Sequence, residues 1–129
     1  MTVELVGIED AGNIEKERLV LKASAHDQLG NYAIFRCEAD EDGLPYSGNI
    51  SRTFWFPNRM LAAGDLVILY TRQGRDSRKK DEGGHTSYFY YWDLDEPLWT
   101  IGAMPVVVQT PDWELGKPIS APIAQSPKA

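Results

Sequence analysis

Five cationic residues lie within nine positions of each other, in a segment that has no apolar side chain. They are Arg72, Arg75, Arg78, Lys79 and Lys80. An aromatic segment follows at residues 87–92, and cations beside aromatic rings can bind single-stranded nucleic acid. Acidic residues within 72–84 dilute the positive field, and the net charge of -6 opposes polyanion binding. Nucleic-acid or polyanion binding through residues 72–80 is therefore the alternative hypothesis, and a solubilising loop is the simpler interpretation.

The aromatic segment suggests a different kind of surface. Residues 87–92 read Ser-Tyr-Phe-Tyr-Tyr-Trp, and in a strand Tyr88, Tyr90 and Trp92 share one face. If that face is exposed it suits a protein interface, because tyrosine and tryptophan supply large contact areas at small entropic cost. If both faces of the strand are buried, the row belongs to the core. We expect these three residues to bind a protein partner or a second copy of the chain.

Two groups of acidic residues raise the question of a metal. Residues 38–43 resemble the start of a calcium loop, but Asn49 stands where an EF-hand needs glutamate. Asp93, Asp95 and Glu96 form a second group, which supports a third hypothesis of a small metal-dependent hydrolase. Such groups are more often solvated loops. The sequence therefore predicts no metal site and no cofactor.

The sequence contains no constellation for nucleophilic catalysis. No G-x-S-x-G occurs, and His26 and His85 both lie in polar segments. The single cysteine, Cys37, lies in an alternating strand pattern, which indicates a small core residue and excludes an internal disulfide. We therefore predict that the chain is not an enzyme.

Short strands must position all of these residues. Leu19 and Leu21 alternate with polar residues, and two strongly apolar strands lie within residues 53–71, on either side of Pro57 and Gly64-Asp65. The parity of the apolar residues changes between Leu5 and Val6, which predicts either a bulge in a first strand or burial of both of its faces. No window has a sustained helical period, and the best candidate is one turn at residues 59–63. The pattern predicts an all-β chain, an immunoglobulin-like β-sandwich of about seven to nine short strands.

The later part of the chain predicts a hairpin, a last strand and a tail. Residues 72–84 are expected to form a mobile loop that joins two strands of a long hairpin. A last strand is expected at residues 104–109, with Trp113 packing back onto the domain. The domain spans residues 1–115, and residues 116–129 form a flexible tail that contains proline, serine and alanine.

The composition limits location and size. A length of 129 residues indicates one domain, and 43% hydrophobic residues suffice for a core. The N-terminus has no basic segment before an apolar run, and no apolar stretch nears the roughly 18 residues that a membrane helix needs. We expect a cytoplasmic protein that does not enter a membrane.

Five short segments follow one another along the chain, and they are residues 17–21 (ERLVL), 29–32 (LGNY), 54–57 (FWFP), 61–67 (LAAGDLV) and Leu98-Trp99 with Gly102. Taken in this order, they resemble the lamin tail domain. The resemblance implies a compact immunoglobulin-like β-sandwich that serves as an interaction module, and it implies no catalytic residue. The chain departs from the family where Ala103, rather than aspartate, follows Gly102. Together these features predict a non-enzymatic protein-interaction module that binds a protein partner or self-associates.

Overall fold

A computed structural model describes residues 1–110 and 112–120, without the side chains of residues 46–49. The described part is all-β. Its strands are β1 (Val3–Glu9), β2 (Arg18–Ala23), β3 (Asp27–Gln28), β4 (Tyr32–Ala39), β5 (Pro45–Trp55), β6 (Met60–Leu61), β7 (Leu66–Tyr70), β8 (Ser77–Lys80), β9 (Thr86–Tyr91) and β10 (Ala103–Gln109). One 3₁₀ turn, Leu29–Asn31, precedes β4. Within the described residues, no helix has the length and apolar character to cross a membrane.

Two main sheets enclose one core. The larger has the strand order β1-β2-β7-β9-β8, the smaller has the order β10-β4-β5, and β3 pairs with β6 in a short third sheet. Buried side chains from both main sheets form a single cluster, with Leu21 and Leu69 from one sheet and Tyr32 and Ile34 from the other. This two-layer arrangement is consistent with the predicted β-sandwich.

The centre of the larger sheet confirms the strands predicted from alternation. In the antiparallel ladder of β2 and β7, Leu19 lies opposite Leu69 and Leu21 lies opposite Val67. All four side chains are almost completely buried. The predicted bulge in β1 is also present, as a register shift between Leu5 and Gly7 against β2. Burial of cross-strand aliphatic pairs therefore fixes the register of this sheet.

The smaller sheet turns one face to the core and the other outward. Tyr32 and Ile34 of β4 are buried in the core cluster, whereas Ala33 and Phe35 point away from it. Cys37 is buried as predicted, but it lies outside that cluster. The sequence pattern predicts that the face carrying Cys37 meets the core. In the structure the core lies on the other face of β4, which carries the larger side chains of Tyr32 and Ile34.

The segment between β7 and β9 differs from the prediction. Residues 77–80 are not loop but the strand β8, which pairs antiparallel with β9. β7 and β9 pair in parallel, so the predicted hairpin between them is wrong. An edge strand needs only ladder hydrogen bonds along one side, and it can form without an apolar residue.

Other segments also differ from the predictions. Residues 59–63 contain β6 and a turn rather than helix, and β5 begins at Pro45, before the segment 53–71 in which the sequence predicts two strands. Trp113 does pack back, with its ring centroid 5.2 Å from that of Trp55. Residues 112–120 have no regular secondary structure, and the rest of the predicted tail, residues 121–129, lies outside the described residues.

A buried carboxylate joins three segments of the chain. Glu17 is fully buried, and its oxygens accept hydrogen bonds from the backbone N–H of Gly12 at 2.8 Å, of Leu98 at 2.9 Å and of Trp99 at 3.3 Å. The hydroxyl of Thr71 donates a fourth bond. A buried carboxylate is costly unless such donors surround it, and here they come from three separate parts of the sequence.

Replacing Glu17 with alanine should therefore destabilise the fold strongly. We expect Glu17→Ala to lower the free energy of unfolding by about 4 kcal/mol, because each buried donor left unsatisfied costs about 1–3 kcal/mol. Urea unfolding followed by tryptophan fluorescence measures the change. The control, Glu15→Ala, removes an exposed carboxylate two residues away and should stay within about 0.5 kcal/mol of the wild type. Equal effects of the two variants would contradict the role given to Glu17.

Candidate functional site

The predicted aromatic row points into the core. Tyr88 and Tyr90 are 9% and 5% exposed, and the ring of Tyr90 packs 5.6 Å from that of Phe56. Trp92 is half-buried between Phe54 and Trp99. β9 is an inner strand, between β7 and β8, and this face meets the smaller sheet. The expectation that the row forms an exposed interaction surface is therefore corrected.

The five cations of the basic segment do not form one patch. Arg72 lies over the stacked rings of Tyr70 and Tyr91, 4.9 and 5.1 Å from their centroids, and its Nε donates to the carbonyl of Glu15. These contacts pack Arg72 against the outer face of the larger sheet.

The remaining four cations are divided between a loop and the two faces of β8. Arg78 pairs with Tyr88 and Lys80 with Thr86, so both share one face, whereas Lys79 pairs with Ser87 on the other. Arg75 is exposed in the loop before β8. Cations on an edge strand also discourage pairing with another chain. The geometry separates the cations that the sequence places together.

The side chains of the second acidic group form hydrogen bonds with a neighbouring loop and are not arranged around a common metal position. Asp93 accepts a hydrogen bond from the backbone N–H of Gly74, and Asp95 accepts one from the side chain of Gln73. Across the residues that the structure describes, no three His, Cys, Asp or Glu side chains are grouped so as to hold a metal ion. The hydrolase hypothesis therefore gains no geometric support.

Two exposed tryptophans mark a surface that the sequence analysis did not single out. Trp55 and Trp113 are 51% and 52% exposed, and their rings meet edge to face at 78°. The indole Nε1 of Trp55 donates to the carbonyl of Gly30 at 2.6 Å. This bond fixes the orientation of the half-exposed Trp55 ring.

Shallow grooves lie on either side of this tryptophan pair. One, of about 430 Å³, continues past Phe56 and Pro57, and the other, of about 270 Å³, runs over Ala33 and Phe35. The second groove lies on the outward face of the smaller sheet. We call these two grooves and the tryptophan pair the tryptophan surface.

A polar pocket of about 400 Å³ opens on the other side of the loop that follows β5. Its lining residues come from that loop, from the start of β8 and from β9, and they are Pro57, Asn58, Arg59, Asp76, Ser77, Arg78, Tyr88 and Tyr90. The guanidinium of Arg59 lies over the Tyr88 ring, 4.9 Å from its centroid. We call this the arginine pocket.

Burial and neighbouring charges shift two pKa values in the arginine pocket. Burial raises the pKa of Tyr90 above its ordinary value, although the nearby Arg59 guanidinium opposes the rise. Burial, together with the negative charge of Asp93, raises the pKa of Asp76. Tyr90 therefore keeps its proton to a higher pH than a free phenol does, and Asp76 takes up a proton at a higher pH than a free carboxylate does.

The sequence carried only part of the signal for these sites. Tyr88, Tyr90 and Arg78 were singled out as members of two separate sites, and the structure brings them into one pocket. Arg59 was missed because it is a lone cation in a turn. Trp55 was missed because its strand looked like core on both faces. The signal available in the sequence was the position of Trp55 two residues before Pro57, where the strand was expected to end.

No model of a protein family matches the chain, and no curated protein matches it significantly.

Alkaline pH should destabilise the protein through its buried tyrosines. Because folding raises the pKa of Tyr90 above 10.0, the unfolded chain loses this proton first, and stability is lost as pH rises beyond that value. We expect Tyr90→Phe to reduce the loss of unfolding free energy between about pH 8 and pH 11. Tyr32, whose pKa burial also raises, accounts for part of the remaining loss. Urea titrations at both pH values measure it, and an identical loss in the variant would contradict this assignment.

Proposed function

We propose that the protein is a non-enzymatic interaction module that binds another copy of itself or a protein partner through the tryptophan surface. The single observation that carries this proposal is the pair of half-exposed tryptophans, Trp55 and Trp113, in edge-to-face contact. Tryptophan is among the residues most enriched at the energetic centres of protein interfaces. The hydrogen bond from Trp55 to Gly30 reduces the entropy that binding would otherwise cost.

The apolar character of the surrounding sheet face supports the same proposal. Phe35 of β4 lies opposite Val106 of β10, and Ala33 lies opposite Val108. All four are only half-buried in the isolated chain. A partner that covered the tryptophan pair would also remove this apolar area from water, which favours association.

The way the carboxylates are used supports a non-enzymatic role. Glu17 and Asp65 are the two buried acids among the described residues. Glu17 accepts four hydrogen bonds, and Asp65 accepts bonds from the backbone N–H groups of Ala62 and Thr86. Both therefore act as structural acceptors. The chain also lacks the nucleophile motifs that hydrolases use.

We also propose that the sandwich is an immunoglobulin-like domain of the lamin tail type, in a cytoplasmic protein. The places of the similar segments support this. FWFP ends β5, the turn at Gly64-Asp65 leads into β7, and Leu98-Trp99 donates to the carboxylate of Glu17 in the ERLVL segment.

Removing one tryptophan tests the proposed interface. We expect Trp113→Ser to weaken self-association or partner binding by about 2 kcal/mol, or about thirtyfold, because a central interface tryptophan typically contributes that much. Trp113 follows the last strand, so the fold should survive the change. Sedimentation equilibrium measures self-association, and titration calorimetry measures a partner. The control, Ile101→Ser, removes a fully exposed apolar residue in a turn. A strictly monomeric wild type that also captures no protein partner would contradict the proposal.

Polyanion binding remains a second candidate because of β8. Arg78, Lys79 and Lys80 are all exposed there, and no ion pair within 4 Å engages them among the described residues. We expect Lys79→Glu with Lys80→Glu to abolish any binding of single-stranded DNA, and the wild-type affinity to fall steeply with salt. Fluorescence anisotropy at two salt concentrations measures both. Absence of wild-type binding at low salt would eliminate this candidate.

A further inference from the structure

The arginine pocket contains two cations that form no ion pair shorter than 4 Å with any described residue. Arg59 comes from the loop after β5 and Arg78 from β8, and both line the pocket. Within residues 1–110 and 112–120, ion pairs shorter than 4 Å involve only Arg18 and Arg36. The chain carries a net charge of -6, so acidic side chains are plentiful, yet none pairs with these two guanidinium groups.

The aromatic wall of the pocket orients Arg59. The guanidinium of Arg59 lies over the face of Tyr88, 4.9 Å from the ring centroid, and its positive charge acts on the phenol of Tyr90. Arg78 lies opposite Tyr88 in the β8–β9 ladder and therefore projects from the same face of the sheet. Stacked and packed guanidinium groups lose less entropy when they bind an oxyanion.

The other end of the pocket has the opposite character. Asp76 directly precedes β8, lines the same pocket as Arg78, and lies close enough to Tyr90 for its negative charge to raise the pKa of that phenol. It is an acceptor that could receive a hydrogen bond from a ligand. Ser77 and Asn58 also line the pocket. A volume of about 400 Å³ is at the small end of the range for ligand sites.

We propose that the arginine pocket binds a small molecule that carries an oxyanion, either a phosphate monoester or a carboxylate, next to a hydroxyl or amine. Arg59 and Arg78 bind the oxyanion through charge-assisted hydrogen bonds. Asp76 accepts a hydrogen bond from the neighbouring donor group of the ligand. This site is separate from the proposed interface, although Pro57 and Asn58 line both the pocket and one groove of the tryptophan surface.

The first experiment titrates the full chain with O-phosphoethanolamine and follows backbone amide signals by NMR. We expect saturable shifts at residues 58–59, 76–78 and 88–90, with a dissociation constant below about 10 mM. Arg78→Met should weaken binding about tenfold, the loss expected for one charge-assisted hydrogen bond. Arg78 is exposed on an edge strand, so this variant keeps the core intact. Arg59→Met should weaken binding equally, with the tyrosine signals reporting whether the fold is preserved.

Matched controls separate the pocket from general attraction to positive charge. Lys79→Met removes one cation from the same strand but from its opposite face, and it should leave the affinity unchanged. Ethyl phosphate lacks the amine and should bind more weakly than O-phosphoethanolamine, and Asp76→Asn should remove that difference. Beta-alanine presents a carboxylate instead of phosphate, so its affinity assigns the preferred oxyanion.

Two results would overturn the proposal. One is the absence of saturable shifts in the wild type up to about 50 mM probe, a concentration at which even a weak site is occupied. The other is an equal loss of affinity in Lys79→Met and Arg78→Met, which would indicate diffuse electrostatic attraction. Trp113→Ser should not change the affinity for the probe, so this test and that of the tryptophan surface can fail independently.

Discussion

The carboxylate of Glu17 is the constraint on which the architecture depends. It lies just before β2, the strand between β1 and β7, and it binds the backbone of residues 98–99 beyond the larger sheet. The same residue binds the Thr71 hydroxyl at the end of β7. One side chain thus fixes the entry to β2, the exit from β7 and the path that leads toward β10. A low-dielectric core makes these hydrogen bonds strong, and it also makes them obligatory.

The strands that bury apolar side chains were predictable from the sequence, and their pairing was not. Alternation identified β2 and the bulge in β1, because one face of that sheet is buried and period two leaves a clear pattern. The parallel pairing of β7 and β9 could not be predicted. It depends on β8, a strand of four exposed residues that leaves no hydrophobic signal. Local pattern reports burial, whereas topology is decided by contacts between residues distant in sequence.

The candidate sites likewise depend on contacts between residues that are distant in sequence, which the local pattern does not reveal. Tyr88 and Tyr90 were recognised from their type, but the face on which they lie depends on which sheet covers β9. The arginine pocket combines residues 57–59 with residues 76–78, and nothing local connects them. The tryptophan surface likewise needs Trp113 to return from beyond β10 to Trp55. The kinds of residue that could bind a ligand or partner were recognisable from the sequence. Which of them lie together on one surface could be seen only in the tertiary structure.

The exposed strand β8 has a consequence for how a ligand would enter the arginine pocket. None of its four side chains is buried, and it is hydrogen-bonded only to β9. Opening this strand exposes little apolar area, so the pocket has one wall that unfolds locally at low free-energy cost and one wall anchored in the core. Arg59 lies on the loop after β5, which lines the same pocket as β8. A ligand that bound both Arg59 and Arg78 would therefore stabilise β8 against local unfolding. The backbone amide hydrogens of β8 would then exchange more slowly with solvent.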